Sequence, residues 1–312
     1  MILFSIIHIR EHLHDPHWRE VLLLLIAQQK PKKAAKAIRA ILQNKSEYES
    51  WLHRDLFWAG TLLTENIKGL KGADKGLVEE ILTGLVELEV SDEARVGRIV
   101  RQQIYEIFCH LNETEFEAQA LGFLKARAEM IDEWRLLKYR VALGEQEAVI
   151  DILLSRLDDH DFKVRFWAVH NLGKLGQGSE KVVNALLLRL DDDDSDVRFL
   201  AAMALGNLGQ GSEKVVNTLL LRLDDDDSDV RFLAANALGK LGQGSEKVVN
   251  TLLLRLDDDD SDVRLSAAMA LGKLGKNNPD ILPLIVQWIE LHHDSDYIGC
   301  GIDALWDMVA TD

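Results

Sequence analysis

The chain has 312 residues, 47% of them hydrophobic, and only four prolines, enough for a packed core without disulfides. Its two cysteines, Cys109 and Cys300, stand far apart, which predicts a reducing compartment and leaves no zinc site. The net charge of −16 is uneven: residues 1–144 hold 20 Lys and Arg against 21 Asp and Glu, residues 145–312 hold 16 against 31. So acidic a second half argues against DNA or RNA as its ligand, because phosphate contacts need cations. The opening apolar run Met1–Ile9 is short, broken by His8 and followed by Arg10 and Glu11, so no secretory signal is read there. Leu22–Ala27 falls far below membrane-spanning length. A cytoplasmic protein with no membrane partner is expected.

In chain order, Asp15-Pro16 predicts a helix start with an aspartate cap and proline at the first helical position. Helices follow over 34–43, 51–68, 75–88, 91–111, 115–129 and 133–143, with 69–74 as the clearest loop. The cluster Lys30-Pro-Lys-Lys-Ala-Ala-Lys-Ala-Ile-Arg reads as a solvated helical face. His8, His12, His14 and His17 crowd the start; lacking a cysteine or an H-E-x-x-H motif, they read as surface histidines around a helix start. The stretch His8–Leu25, H-I-R-E-H-L-H-D-P-H-W-R-E-V-L-L-L-L, resembles the helical region after the nucleotide-binding module of NACHT-type signalling ATPases. That resemblance implies a sensor half: the chain has no G-x-x-x-x-G-K-[ST], so it would be a detached sensor, a truncated product or a partner subunit.

From residue 145 the chain repeats. Arg165, Arg198, Arg231 and Arg264 are spaced by 33 residues, and residues 194–226 and 227–259 differ only at Met203/Asn236 and Asn207/Lys240. A period of this length means stacked copies of one supersecondary unit. In each unit Val197, Ala201, Ala204, Leu205 and Leu208 keep helical spacing, Asp194 sits at the N-cap, and Gly209 and Gly211 end the helix. Ser212 opens a second helix with Val215, Val216, Leu219, Leu220 and Leu223 as its apolar stripe. Stacked hairpins of this kind predict an all-α fold, an α-solenoid, with residues 1–144 an irregular helical region and 145–312 the array. Residues 145–157 read as the second helix of an upstream unit. After Asn277-Asn-Pro-Asp the pattern decays, and Ile298 stands where the arginine belongs, as a closing repeat requires.

The pattern L-x-D-x-D-x-x-V-R-x-x-A-A-x-A-L-G-x-L-G, carried at 157–176, 190–209, 223–242 and 256–275, resembles the HEAT-like repeat named after the phycobilisome lyases. The ankyrin turn T-P-L-H is absent. The resemblance implies a structural ladder in which Arg165, Arg198, Arg231 and Arg264 bond to inter-repeat aspartates, with Asp161, Asp194, Asp227 and Asp260 the aspartates assigned to it. The tetra-aspartate runs 191–194, 224–227 and 257–260 lack EF-hand spacing and read as caps and loops rather than a calcium site.

Winding the first helix at about 100° per residue with Val197 at zero places Phe199, Met203 and Asn207 near 200°, 240° and 280°, away from a core near 20°. Stacking gives three rows: Phe166, Phe199, Phe232, Leu265; His170, Met203, Asn236, Met269; and Lys174, Asn207, Lys240, Lys273. A fourth column, Trp167, Leu200, Leu233, Ser266, borders the core. In similar arrays these positions line the concave surface, so all are candidate partner-binding residues; packing of the phenylalanines beside Ala202 and Gly206 is the alternative. No catalytic residue, metal or cofactor is assigned. The function expected is non-catalytic protein binding, a scaffold or sensor; the alternative is a lyase or chaperone acting on phycobiliproteins. The iron enzyme deoxyhypusine hydroxylase, also HEAT-like, is set aside because no His-Glu pair occurs.

Overall fold

The computed structural model describes Ile9 and residues 11–310, apart from the Glu93 side chain. His8 and most of the opening apolar run therefore lie outside the described residues. Every regular element among those described is helical. The chain divides into two compact units, residues 1–149 and 150–312.

The first unit contains α1 (Arg19–Ala27), α2 (Pro31–Leu42), α3 (Glu49–Leu52), α4 (Arg54–Thr64), α5 (Leu70–Ala73), α6 (Lys75–Glu89), α7 (Glu93–Val96), α8 (Arg98–Cys109), α9 (Glu117–Lys125) and α10 (Glu133–Ala142). Two helices expected as single runs are each split. His53, at φ 50°, separates α3 from α4, and Gly97, at φ 83°, separates α7 from α8. The expected loop 69–74 contains the short α5, and α1 begins at Arg19 rather than after Asp15. Asp15 instead accepts from the backbone N of His17 at 2.9 Å, so it caps a turn before the helix. The unit's core runs through Ile38, Leu62, Leu63, Ile81, Leu85, Ile104 and Phe108. A buried ion pair joins α6 to α10: Arg135 Nη2 donates to Glu89 Oε2 at 2.9 Å, and the Glu89 carboxylate has no solvent exposure.

The second unit holds the hairpins, following α11 (Gln146–Ser155). They are α12 (Phe162–Leu175) with α13 (Glu180–Arg189), α14 (Ser195–Leu208) with α15 (Glu213–Arg222), α16 (Ser228–Leu241) with α17 (Glu246–Leu254), and α18 (Ser261–Asn277) with α19 (Leu282–Leu291). Helix α20 (Ile298–Val309) packs on α18 and α19. Asp194 Oδ1 accepts from the backbone N of Asp196 at 3.0 Å, and Ser212 Oγ from Val215 N at 3.4 Å, so both helix starts of the unit are capped from the sequence positions expected. Gly209, at φ 67°, takes the left-handed conformation that ends α14.

Consecutive first helices touch along their length, whereas consecutive second helices meet sparsely. The cause is a column of glycines. A Cβ on Gly206 would stand 2.9 Å from Ala237 Cα, and one on Gly239 2.8 Å from Ala270 Cα. Backbone of the next repeat, and not a phenylalanine, fills the space beside Gly206. The first-helix side is thereby the tighter, inner side of the array.

Close approach gives glycine substitutions opposite signs at two helical sites. Gly206→Ala gains about 1 kcal/mol of helix propensity but meets backbone, and overpacking of roughly 1–3 kcal/mol outweighs it. A Cβ added at Gly122 in α9 would meet nothing within 4 Å, so Gly122→Ala stabilises by about 0.5–1 kcal/mol. Urea unfolding followed by circular dichroism should move the midpoint down for the first variant and up for the second.

Candidate protein-binding face

Four arginines at the 33-residue spacing tie the repeats together. Arg165 donates from Nη2 and Nε to Asp192 at 2.7 and 2.9 Å, and Arg198 does the same to Asp225 at 2.7 and 3.0 Å. Arg231 reaches Asp258 at 2.8 and 3.0 Å. Each guanidinium also donates to a carbonyl of its own upstream loop, Arg198 to Asp192 O at 3.0 Å and Arg231 to Asp225 O at 2.9 Å. Arg264 keeps the carbonyl bond, to Asp258 O at 2.6 Å, but stacks 3.9 Å over the Tyr297 ring instead of meeting an acid.

The acids of this ladder are not those assigned from the sequence. Asp161, Asp194, Asp227 and Asp260 are turned to their own helix N-termini as caps. The guanidinium makes its paired contact with the aspartate two residues upstream of the next repeat's cap, and Arg198 and Arg231 also reach the exposed neighbouring acid, Asp226 and Asp259, at 2.9 and 2.8 Å. A second ladder escaped sequence reading altogether. Arg189, Arg222 and Arg255, at the ends of the second helices, donate to Leu157 O, Leu190 O and Leu223 O of the preceding repeat at 2.8, 3.2 and 3.1 Å. Arg222 and Arg255 also pair with Asp191 and Asp224 at 3.0 and 3.2 Å. In the last run His292 takes the arginine's place, with Nε2 3.1 Å from Asp257. The tetra-aspartate runs are thus shared out among caps and two ladders; their regular spacing alone could have suggested a second arginine row.

With these positions committed, the solvent-open part of each first helix is narrow. Between its ends, α14 keeps Asp196, Phe199, Met203 and Asn207 open, besides the ladder arginine, and α16 keeps Asp229, Phe232, Asn236 and Lys240. The phenylalanines are half-buried, Leu265 and Met269 are exposed, and Lys174, Asn207, Lys240 and Lys273 are exposed. Lys240 Nζ donates to Asn207 Oδ1 at 2.8 Å across the repeats. Phe166, Trp167 and His170 form an edge-to-face cluster with centroids 5.7 Å apart in each successive pair, and Trp167 keeps 45% of its surface exposed.

The border column does not belong to this face beyond its first member. Leu200 and Leu233 are 4% and 8% exposed, and Ser266 is buried with its hydroxyl donating to Phe232 O at 2.9 Å. They lie inward because the close approach of consecutive first helices closes that flank. The structure adds instead a row that sequence reading did not single out: Lys163, Asp196, Asp229 and Asp262, all exposed. The resulting face has an acidic edge, an apolar centre and a lysine edge.

Residues 125–206 and 183–272 match the family model for HEAT repeats. The matched stretch, residues 125–272, carries HEAT repeats. The match begins ahead of the repeats read from the sequence and takes in α10 and α11. The structure of Kap121p bound to Ste12p is similar at 13% identity with a TM-score of 0.52, covering 97% of this chain and 37% of that one. Kap121p bound to Nup53p gives 13% identity, a TM-score of 0.51 and the same coverage. The Kap95p structure, described as inducing a switch-loop change in RanGDP, gives 16% identity and a TM-score of 0.50 over 97% of this chain and 46% of that one. This chain therefore spans less than half of each, and the likeness is one of HEAT and armadillo-like fold. No curated protein sequence matches it. Among the described residues no helix is long and apolar enough to cross a membrane.

The ladder ties stability to acid pH. Burial opposes ionisation of Asp225, and the hydrogen bonds from Arg198 and from Asp227 N outweigh it, so the carboxyl sits below its ordinary value; Arg231 and Asp260 N act likewise on Asp258. A carboxyl depressed in the folded state contributes stability above its unfolded value and loses it as pH falls through the folded one. Thermal unfolding should therefore show stability falling below about pH 4. Asp225→Asn/Asp258→Asn should be less stable by roughly 3–5 kcal/mol at neutral pH, with a shallower acid limb.

Proposed function

We propose that the HEAT array is a non-catalytic protein-binding scaffold and that the open stripe of its first helices is the contact face. The observation that carries this is the composition of the stripe. Large apolar side chains, Trp167, Leu265 and Met269, stay exposed along a surface whose surrounding positions are closed by packing or ion pairs. An exposed apolar row with polar edges is the usual anatomy of an interaction surface, and tryptophan is enriched among the residues that dominate binding. The phenylalanine row supplies the half-buried floor, and the lysine row and the Asp196–Asp262 row supply opposite charges at the two edges.

The resemblance of residues 8–25 to the region following a NACHT module supports a sensor role for this scaffold. A nucleotide-binding protein among the captured partners would favour it. The alternative, action on phycobiliproteins, rests on the type of repeat; visible absorbance of the protein purified from bilin-producing cells tests it.

Substitution on the stripe should remove a partner without unfolding the array. Trp167→Glu/Met269→Glu places charge at two exposed positions and should weaken capture of the partner at least about tenfold, a cost of about 1.4 kcal/mol or more. Leu221→Glu, at an exposed position of a second helix, should leave capture unchanged. Equal capture by all three proteins, each with native circular dichroism, would remove the stripe as the contact face.

A further inference from the structure

The first unit contains a cavity whose chemistry the scaffold does not use. One of its lining residues, His14, belongs to a polar cluster that joins residues far apart in sequence. His14 Nε2 lies 2.6 Å from Ser46 Oγ and 3.3 Å from Asp55 Oδ1. Ser46 N donates to Asp55 Oδ2 at 2.9 Å, and Asn44 Nδ2 to Ser46 Oγ at 2.9 Å. Asp55 is 1% exposed. His14 is thus half-buried and tied to Ser46 and Asp55, where a surface histidine was expected. The three side chains do not form a hydrolytic relay. Serine and aspartate meet the same ring nitrogen, whereas a relay needs the aspartate on one nitrogen and the serine on the other. The Ser46 hydroxyl is moreover hydrogen-bonded to the Asp55 carboxylate itself.

The cavity has a volume of about 250 Å³. Leu13, Phe57 and Trp58 make its apolar wall, and Arg19, Arg54 and Gln103 bring polar groups to it. Among the described residues neither arginine has an ion pair. The carboxylates nearby are engaged elsewhere: Asp15, on the wall, accepts from His17 N, and Asp55 accepts from Ser46 N, Ser46 Oγ and His14. Burial, and after it the positive Arg54, hold His14 below the usual histidine range, so the imidazole is neutral and the cations at the cavity are the two guanidiniums. Arginine presents a planar fork that matches a carboxylate with two parallel hydrogen bonds. Two guanidiniums at the rim of a cavity with an apolar wall favour an anion that brings apolar surface of its own.

We propose that this cavity binds a small carboxylate carrying a flat apolar body, held at its charged end by Arg19 and Arg54 and along its plane by Phe57 and Trp58. The volume lies just below the range of drug-sized sites, which restricts the ligand to about one ring. Aromatic side chains among the lining residues suit an unsaturated ring, which packs in an offset or edge-on manner. This inference is independent of the array and of the protein partner proposed for it.

Isothermal titration of the full chain with benzoate, benzamide and inorganic phosphate tests it. Benzoate should bind saturably, with benzamide and phosphate each at least about tenfold weaker, since one lacks the charge and the other the ring. Arg54→Gln should weaken benzoate at least about tenfold, and Arg19→Gln, at the exposed rim and clear of the buried cluster, should do so while leaving thermal unfolding unchanged. Equal binding of benzoate and benzamide would show an apolar crevice indifferent to charge, and phosphate as tight as benzoate a bare cationic patch; either overturns the proposal. So would the absence of saturable benzoate binding up to about 10 mM, or undiminished binding by a folded Arg19→Gln protein.

Discussion

Each repeat is locked to the next by a guanidinium that must be in two places at once. Arg198 holds the carbonyl of Asp192 in its own loop and the carboxylate of Asp225 in the next, and Arg231 repeats the arrangement with Asp225 O and Asp258. Buried ion pairs of this kind owe much of their Coulomb energy to the desolvation they offset, so their main effect is on register rather than on net stability. Within the run the seam distinguishes neighbouring acids: Asp225 accepts from both Nε and Nη2 of Arg198, whereas Asp226 accepts from Nη2 alone. That constraint lets two nearly identical units, residues 194–226 and 227–259, stack in one way although their apolar faces alone would allow others.

Register then determines what remains for binding. With Gly206 against Ala237 and Gly239 against Ala270, the first helices approach until backbone meets backbone. The flank carrying Leu200, Leu233 and Ser266 closes, and the positions opposite the core are left as a stripe one side chain wide on each helix. Side chains there are released from packing demands, which is why the two near-identical units differ there, at 203/236 and 207/240, and nowhere else. At the end of the array the two ladders close with different chemistry: Tyr297 under Arg264 in the first, and His292 beside Asp257 in the second.

The first unit obeys no such period. Its helices are shorter, broken at His53 and Gly97, and joined by individual contacts such as Glu89–Arg135 and His14–Ser46–Asp55. Irregular packing leaves a cavity whose arginines have no ion pair among the described residues, whereas the regular array fills each gap with the next copy of the same side chain. The two parts thus differ in surface: the array has a stripe with exposed apolar side chains, and the first unit has a half-open cavity.

By itself the sequence determined whatever is local or periodic. The 33-residue spacing, the caps at Asp194 and Ser212 and the left-handed Gly209 specified the helical hairpins, because capping and helical spacing involve residues only a few positions apart. Only the tertiary structure decided which aspartate of each run meets the arginine, since Asp192 and Asp194 are equally acidic and differ only in the direction they face. It also decided that Leu200 and Leu233 lie inside while Trp167 stays out, a matter of how closely neighbouring helices approach. His14, Ser46 and Asp55, separated by as many as 41 positions, carry no spacing that marks them as partners. Their meeting depends on the path of the whole first unit, and no local rule contains that path.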